Sequence, residues 1–478
     1  MVMKTLEDLL KKYEPYPDPQ AVQSRLRMAI DEFNSTIVVL DDDPTGTQTV
    51  QGITVVTDWT PQTLQREFEK KPRMFFVLTN SRALSAQETE RLHEILAENI
   101  SQAAKRANRD FLLVSRSDST LRGHFPLETE ILRKVLEKKT LRKIDGEILC
   151  PFFQEGGRYT AEDTHYLVEK GKLVPVGETE FAKDLTFGYK SSNLKSWVEE
   201  KTHGEYGAEH VLSITLEQLR SRDSGSILYT LCSAHDFQKI VVNAISYQDL
   251  AAFVPILYEA IEHGKRFILR SAASILKIMS GCSEDTVCQR QELVDLDNKN
   301  GGLIVVGSHV KKTTDQLEVL KVSQMVSYLE FHQHLVLDSD RLKREIARVA
   351  QEAEDMLREG KHVVIATSRR RLDLGEGDKE AELALAKKIS DALVSTVMQI
   401  SVRPNFVIGK GGITSSDVAT RGLGIRRAQV LGQILPGIPV WKCGSESRFP
   451  GLIYVVFPGN VGAETSLADA VKKMIPEG

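Results

Sequence analysis

Val38-Val39-Leu40-Asp41-Asp42-Asp43-Pro44-Thr45-Gly46-Thr47-Gln48 passes directly from an apolar run into an acidic, hydroxyl-rich turn. The same change recurs along the chain. Met74-Phe75-Phe76-Val77-Leu78 leads into Thr79-Asn80-Ser81-Arg82, and Phe111-Leu112-Leu113-Val114 into Ser115-Arg116-Ser117-Asp118-Ser119-Thr120-Leu121-Arg122-Gly123-His124. Further apolar runs are Ile240-Val242, Phe267-Leu269, Ile304-Val306, Val363-Ile365 and Phe406-Ile408. Continuous rather than alternating apolar residues indicate strands covered on both faces, as in parallel sheets. Between them lie amphipathic stretches at 85–107, 340–359 and 379–399 that read as helices. Strand alternating with helix predicts an α/β chain: two α/β/α-type domains with mostly parallel sheets and a cleft between them.

The length of 478 residues suits two or three domains. From Cys282 to Gly301 the chain is polar and poor in large apolar residues, which suggests an N-terminal domain over 1–281, a linker at 282–301 and a C-terminal domain over 302–478. The stretch 155–235 reads as loops and short strands that shape a pocket.

Lysine plus arginine number 62 against 66 aspartate plus glutamate, so no global field draws the chain to nucleic acid or an anionic membrane. Five scattered cysteines, with no C-x-x-C pair, argue against a disulfide framework or zinc site and for a reducing cytoplasm. The beginning of the sequence lacks the apolar core of a signal peptide, and no run reaches the roughly 18 apolar residues of a membrane span.

In open α/β sheets, ligands bind at the carboxyl ends of the strands, where the first run delivers Asp42 and Asp43. One carboxylate there is suited to accepting a proton from a substrate hydroxyl, or several to Mg²⁺. An ordinary Asx-turn with solvated carboxylates fits the same residues. Arg82, Arg116, Ser117, Asp118 and Ser119 stand at neighbouring strand ends. Arginine forks match a carboxylate and the hydroxyl-bearing residues match a sugar, although helix capping and surface ion pairs would use the same residue types.

No Gly-Lys pair is followed by Ser or Thr, which removes a Walker A loop, and no dinucleotide fingerprint follows the first strand. Three glycine-bearing turns do follow strands in the C-terminal half. They are Gly307-Ser308-His309, Gly409-Lys410-Gly411-Gly412-Ile413-Thr414 and Pro458-Gly459-Asn460-Val461-Gly462. Glycine lets backbone approach phosphate closely, and strand-to-helix turns also carry glycine for purely structural reasons.

Taken together, LDDDPTGTQTV, LTNSRALS, SRSDSTLRGH, GGRYTAEDTHY, TEFAKDLTFGY, GSHVKKTTDQL, GKGGITSSDVA and VVFPGNVG resemble the four-carbon acid sugar kinase family over most of the chain. The resemblance implies a sugar-acid-binding N-terminal domain, a nucleotide-binding C-terminal domain, and ATP-dependent phosphorylation of a terminal hydroxyl of a small sugar acid, with Mg²⁺ accompanying ATP. It implies substrate contacts at Asp43, Arg82 and Arg116 to Ser119. It implies ATP contacts at Ser308, Gly411, Gly412, Ile413, Thr414, Gly459 and Asn460. Asp43 and then Asp118 are the candidate proton acceptors. Pro44 stands where other members have phenylalanine, and SDSTLRGH replaces a longer run of one branch. Both differences fall in the sugar pocket and bear on which acid is used. The expected partners are a sugar acid and ATP, with no nucleic acid and no membrane, and self-association is left open. A sugar-acid-responsive regulatory protein is the alternative; it would have no need of intact nucleotide turns.

Overall fold

Every residue of Thr36–Asp41 is buried, and the same holds for Met74–Leu78, Gly146–Cys150 and Phe267–Ser271. Such strands need cover on both faces, and the helices between them supply it. The structure, a computed structural model, describes residues 5–221, 224–282, 287–369 and 379–475, with only the backbone described at 379–384 and 386. The chain divides into two units, Met1–Val50 with Asp58–Glu284, and Gln51–Thr57 with Asp285–Gly478.

In chain order the strands of the first unit begin with β1 (Thr36–Asp41). After β2 (Thr54–Val56), which belongs to the second unit, come β3 (Met74–Leu78), β4 (Phe111–Arg116) and β5 (Gly146–Cys150). A separate antiparallel sheet follows, of β6 (Arg158–Ala161), β7 (Thr164–Glu169) and β8 (Lys172–Pro175). Then come β9 (Leu212–Ile214), β10 (Gln238–Val242) and β11 (Phe267–Ser271). The main sheet runs β3-β1-β4-β11-β5-β10-β9, with all of these neighbours parallel. From β1 the chain proceeds to β3 on one side and later to β4 on the other, so the end of β1 is a switch point of the topology.

The helix Ala86–Arg106 shows why this layering forms. Ser85 caps it in a reciprocal box with Glu88, and Leu92, Leu96, Ala97, Ile100, Ala103 and Ala104 make a buried stripe. The stretches 340–359 and 379–399 likewise form helices, Ser339–Arg358 and Lys379–Gln399.

The second unit contains β12 (Leu303–Val306), β13 (Ser327–Phe331), β14 (Val363–Thr367), β15 (Phe406–Lys410), β16 (Arg427–Leu435), β17 (Ile438–Cys443) and β18 (Ile453–Phe457). Its order is β13-β14-β12-β15-β18-β17-β16-β2. The neighbours from β13 to β18 are parallel, and β17, β16 and β2 continue antiparallel.

Two boundaries differ from the sequence reading. The interval 1–281 is interrupted, because Thr54–Val56 pairs with Gln429–Arg427 and is counted in the second unit. The interval 282–301 is more than a linker: Cys288 and Leu293 are buried in the apolar core of the second unit, and Cys288 N–H donates to Gln433 O at 2.7 Å. Apolar side chains spaced among polar ones were enough to anchor a segment whose average composition is polar.

After β1 the chain turns through Pro44–Thr47, capped by the Asp43 carboxylate, which accepts from Thr45 N–H at 2.9 Å. Gly46 lies so close to β1 that a Cβ there would stand 2.1 Å from both carboxylate oxygens of Asp41. Arg116 holds that carboxylate at 3.3 Å, so it has little freedom to retreat. Gly46→Ala should therefore cost about 1–3 kcal/mol, as overpacked cores do. Chemical denaturation of the variant checks this, and an unchanged midpoint would contradict the packing described.

Candidate active site

Four strand ends, of β1, β3, β4 and β11, are stitched together by backbone hydrogen bonds. Asp42 N–H donates to Arg116 O at 3.2 Å, Thr79 N–H to Asp41 O at 2.9 Å, and Ser117 N–H to Ser271 O at 2.9 Å. The turns after β1, β3 and β4 thus share one edge, and their side chains meet there. Arg82 grips Asp42 with both arms of its fork, Nε to Oδ2 at 3.1 Å and Nη2 to Oδ1 at 2.5 Å. Its remaining Nη1 lies 3.6 Å from Asp43 Oδ2 and 3.9 Å from Asp118 Oδ1. Arg116 Nη1 lies 3.3 Å from Asp41 Oδ1 and 3.6 Å from Asp42 Oδ1. Ser117 Oγ donates to Asp42 Oδ2 at 3.0 Å and accepts from Arg270 Nη2 at 3.2 Å. Gly123, at φ +121°, brings its backbone against this pair, since a Cβ there would lie 2.7 Å from Ser117 Oγ.

The four aspartates divide by environment. Burial raises the carboxyls of Asp41, to about 8, and of Asp42, despite the arginines beside them. Burial acts on Asp43 and Asp118 as well, but is outweighed. Arg82 and Arg116, with hydrogen bonds from Thr45, hold Asp43 below the usual range. Arg82 and Arg122, with hydrogen bonds from Arg122 and Thr120, do the same for Asp118. The second pair also reaches solvent, with side chains 18% and 13% exposed against 2–3% for Asp41 and Asp42. Two buried carboxyls pushed toward neutrality thus support two outward carboxylates that stay charged.

Asp42, Asp43, Arg82, Arg116, Ser117 and Asp118 therefore form one cluster. Ser119 follows Asp118 in the same turn, and its carbonyl accepts from His165 Nε2 at 2.8 Å, while His165 Nδ1 accepts from Thr160 Oγ1 at 2.9 Å. Burial lowers the His165 pKa to about 4, so a neutral ring fixes the turn. Arg122, already among the strand-end arginines of the sequence, belongs here, and so do Arg270 and Arg158, which the sequence reading had not singled out. Arg122 Nε donates to Asp118 Oδ2 at 2.7 Å. Arg270 is buried, and its guanidinium carbon lies 5.1 Å and 5.2 Å from the ring centroids of Phe125 and Trp197. Arg158 begins β6, away from any strand of the main sheet. The signals were present in the sequence: Arg122 stands in SRSDSTLRGH, Arg270 follows an apolar run directly, and Arg158 and His165 lie in GGRYTAEDTHY.

In the second unit, β12, β15 and β18 are neighbours, and their following turns converge. A Cβ on Gly459 would lie 3.2 Å from Ser308 Oγ and 3.9 Å from Gly411 Cα. Gly411, at φ +119°, is so close that a Cβ would stand 3.0 Å from Ser308 Cβ, and one on Gly307 would lie 2.3 Å from Thr414 Oγ1. Thr313 Oγ1 donates to Gly459 O at 3.0 Å, and Gly411 N–H to Phe457 O at 2.9 Å. Ser308, Gly411, Thr414 and Gly459 are thus brought together. Gly412 and Ile413 open the short helix Gly412–Asp417, Ile413 is exposed, and the exposed Asn460 follows Gly459. Lys410, which sequence had not singled out, is buried and donates to Pro458 O at 2.5 Å, tying two of the turns. Burial lowers its pKa to about 7. These turns offer closely approachable backbone, which suits phosphate oxygens.

The Asp41 environment has a measurable consequence. The folded protein keeps a proton that the unfolded chain releases near the ordinary aspartate value of about 4. The stabilisation Asp41 gives therefore fades as pH rises from about 4 toward about 8, its folded pKa. Asp41→Asn removes this titration. The melting temperature of the wild-type protein minus that of the variant should fall steadily from pH 5 to pH 8, and a flat difference would refute the assignment.

Comparison with known proteins also divides the chain in two, with residues 51–57 inside the N-terminal match. Residues 37–279 match the family model described as a sugar-binding N-terminal domain, and residues 303–467 match that of a nucleotide-binding C-terminal domain. The chain is 25% identical over 375 residues to the D-threonate kinase of Salmonella typhimurium, covering 75% of this chain and 80% of that protein. Its fold is similar to that of a Salmonella typhimurium protein described as a putative tRNA synthase, with a TM-score of 0.63, 16% identity, and 92% and 100% of the two chains covered. A Haemophilus influenzae protein of the DUF1537 family model gives a TM-score of 0.60 at 15% identity, with the same coverage. With a sugar-binding unit that carries the aspartate–arginine cluster and a nucleotide-binding unit that carries the glycine turns, the chain belongs to the four-carbon acid sugar kinase family.

Proposed function

We propose that the protein transfers the terminal phosphoryl group of ATP to a terminal hydroxyl of a four-carbon sugar acid in the cytoplasm. The observation that carries this reading is the pair of charged, solvent-reaching carboxylates, Asp43 and Asp118, on either side of the Arg82 Nη1 atom. Similarity to a D-threonate kinase supports the choice of acceptor. The domain assignment follows: the first unit takes the acid and the second takes ATP.

Phosphoryl transfer needs positioning and charge neutralisation more than covalent chemistry. Asp43 is the proton acceptor. Its Oδ1 accepts from Thr45 N–H, and its Oδ2 lies 3.6 Å from Arg82 Nη1, beyond hydrogen-bond reach. Asp118 is less free, with Thr120 and Arg122 both donating to Oδ2. Asp118, Ser117 and Ser119 bind the hydroxyls of the acid, and Asp42 keeps Arg82 aimed between the two outward carboxylates. Arg116 fixes the strand end from beneath. ATP lies along Ser308, Gly411 to Thr414, Gly459 and Asn460. Mg²⁺ comes with ATP, whose phosphates provide ligands for it. No group of three or more His, Cys, Asp or Glu side chains arranged to hold a metal ion occurs among the described residues, so no step is assigned to the ion.

A coupled assay of ADP release across four- to six-carbon sugar acids tests the reading, with a four-carbon acid expected to give the highest kcat/KM. Release with none of them would overturn it. Asp43→Asn, nearly isosteric, should lower kcat by about 10²–10⁴-fold with ATP affinity kept. A larger kcat loss in Asp118→Asn, with Asp43→Asn changing mainly the KM for the acid, would transfer the role to Asp118. In the second unit, Gly459→Val fills the space beside Ser308 and Gly411. It should raise the KM for ATP by on the order of tenfold or more, through lost backbone approach, and leave the KM for the acid nearly unchanged. Calorimetry showing undisturbed ATP binding would remove this turn from the nucleotide site.

A further inference from the structure

The two arginines at the strand ends already hold aspartates, although the Nε of Arg116 is buried with no hydrogen-bond partner of its own. Arg82 closes on Asp42 and Arg116 on Asp41, so a substrate carboxylate would have to break a buried hydrogen bond to reach either. A second pair of arginines lies at the outer side of Asp118. Arg122 and Arg158 share the ring of Phe181, with their guanidinium carbons 4.9 Å and 6.0 Å from its centroid. Arg122 is anchored by Asp118 at 2.7 Å, and its Nη1 lies 3.7 Å from Asp184 Oδ2. Arg158 is different. Among the described residues its side chain makes no ion pair, its one side-chain hydrogen bond runs from Nη1 to Gly156 O, and its Nε is buried with no hydrogen-bond partner. Burial lowers its pKa, Asp118 and Glu169 oppose that, and Arg122 adds to it.

Two cations held over one ring, one of them with a buried and unused donor, are a costly arrangement unless an anion completes it. A planar carboxylate fits best, because a guanidinium presents parallel N–H donors at matching spacing and stacks on an aromatic face at the same time. The place suits a short acid. From Arg122 the contacts run through Asp118 and Arg82 Nη1 to Asp43, so one carboxylate and one guanidinium separate the two ends. We propose that Arg158, beside Arg122 on the shared Phe181 ring, binds the carboxylate of the sugar acid and so selects the acid over the corresponding polyol. This rests on the kinase reading above, with the acid's far hydroxyl at Asp43.

The test compares D-threonate with threitol, its uncharged counterpart, in wild type, Arg158→Gln and Arg158→Lys. ADP-release kinetics and calorimetric Kd values are measured for each. Arg158→Gln should weaken D-threonate binding by about a hundredfold, the loss typical of a desolvated charged contact. Threitol and the KM for ATP should be unaffected. Arg158→Lys should recover only part of the loss, since a point charge cannot make the planar contact. A partly folded preparation lowers both acceptors alike, so the acid-to-polyol ratio decides. An unchanged ratio in Arg158→Gln overturns the proposal. Binding of D-threonate to wild type without ADP release would defeat the kinase reading alone, and the Kd ratio would still decide the subsite. Failure of wild type to bind any four- to six-carbon acid, with or without ATP, overturns the subsite as well.

Discussion

Three consecutive carboxylates at the end of a fully buried strand repel one another and lose solvation, so something must compensate them. In this protein arginine does so from the two adjoining strand ends. Arg82 arrives in the turn after β3 and Arg116 at the last residue of β4, opposite Asp41 in the strand register. The parallel pairing of β1 with both neighbours is what brings these cations within reach. The charge balance and the sheet order are thus one constraint. Removing Arg116 takes the guanidinium from Asp41, removing Arg82 takes the two-armed contact from Asp42, and altering the order separates these groups.

The constraint also sorts the aspartates into roles. Asp41 is held in by Gly46 and Arg116, and Asp42 by Arg82 and Ser117, so both serve as fixed structure. Asp43, one residue later, escapes the strand because the chain turns at Pro44 and because its own carboxylate caps that turn. One step along the backbone converts a buried structural carboxyl into an outward charged one. A strand end does this economically, since successive side chains point in opposite directions and the turn redirects the third.

Much of the fold was legible because burial on both faces leaves apolar runs that hardly alternate. Each run read as a strand, from Val38-Leu40 to Phe406-Ile408, lies inside one. The antiparallel addition of β16, β17 and β2 was not legible. Thr54–Val56 is only three residues long and lies far in sequence from its partner, so its pairing is a tertiary fact with little local trace. The segment around Cys288 and Leu293 was obscured for a related reason, two anchoring side chains diluted by polar neighbours. In the site, the residues at strand ends could be read because position implied proximity. His165 lay within a quoted motif, GGRYTAEDTHY, but its partner could not be read, because it acts from β7 on the carbonyl of Ser119 and nothing local announces such a bond.

The nucleotide turns show a different economy. In place of one long loop, short glycine turns from three neighbouring strands meet near Ser308, with Gly307 too close to Thr414 for a side chain and Gly411 and Gly459 tight against Ser308. Packing of this kind restricts what can occupy the positions, since even one methyl at Gly307 or Gly411 would collide with Thr414 or Ser308. Lys410 supplies the bond between two of the turns from below, through carbonyls and not through a side chain. Backbone carbonyls that face an ammonium orient their peptides, and with them the neighbouring N–H groups, without spending a residue's chemistry on the ligand side. The two units thus present opposite surfaces at their strand ends. The first presents charged side chains whose partners fix their directions, and the second presents backbone made reachable by the absence of side chains.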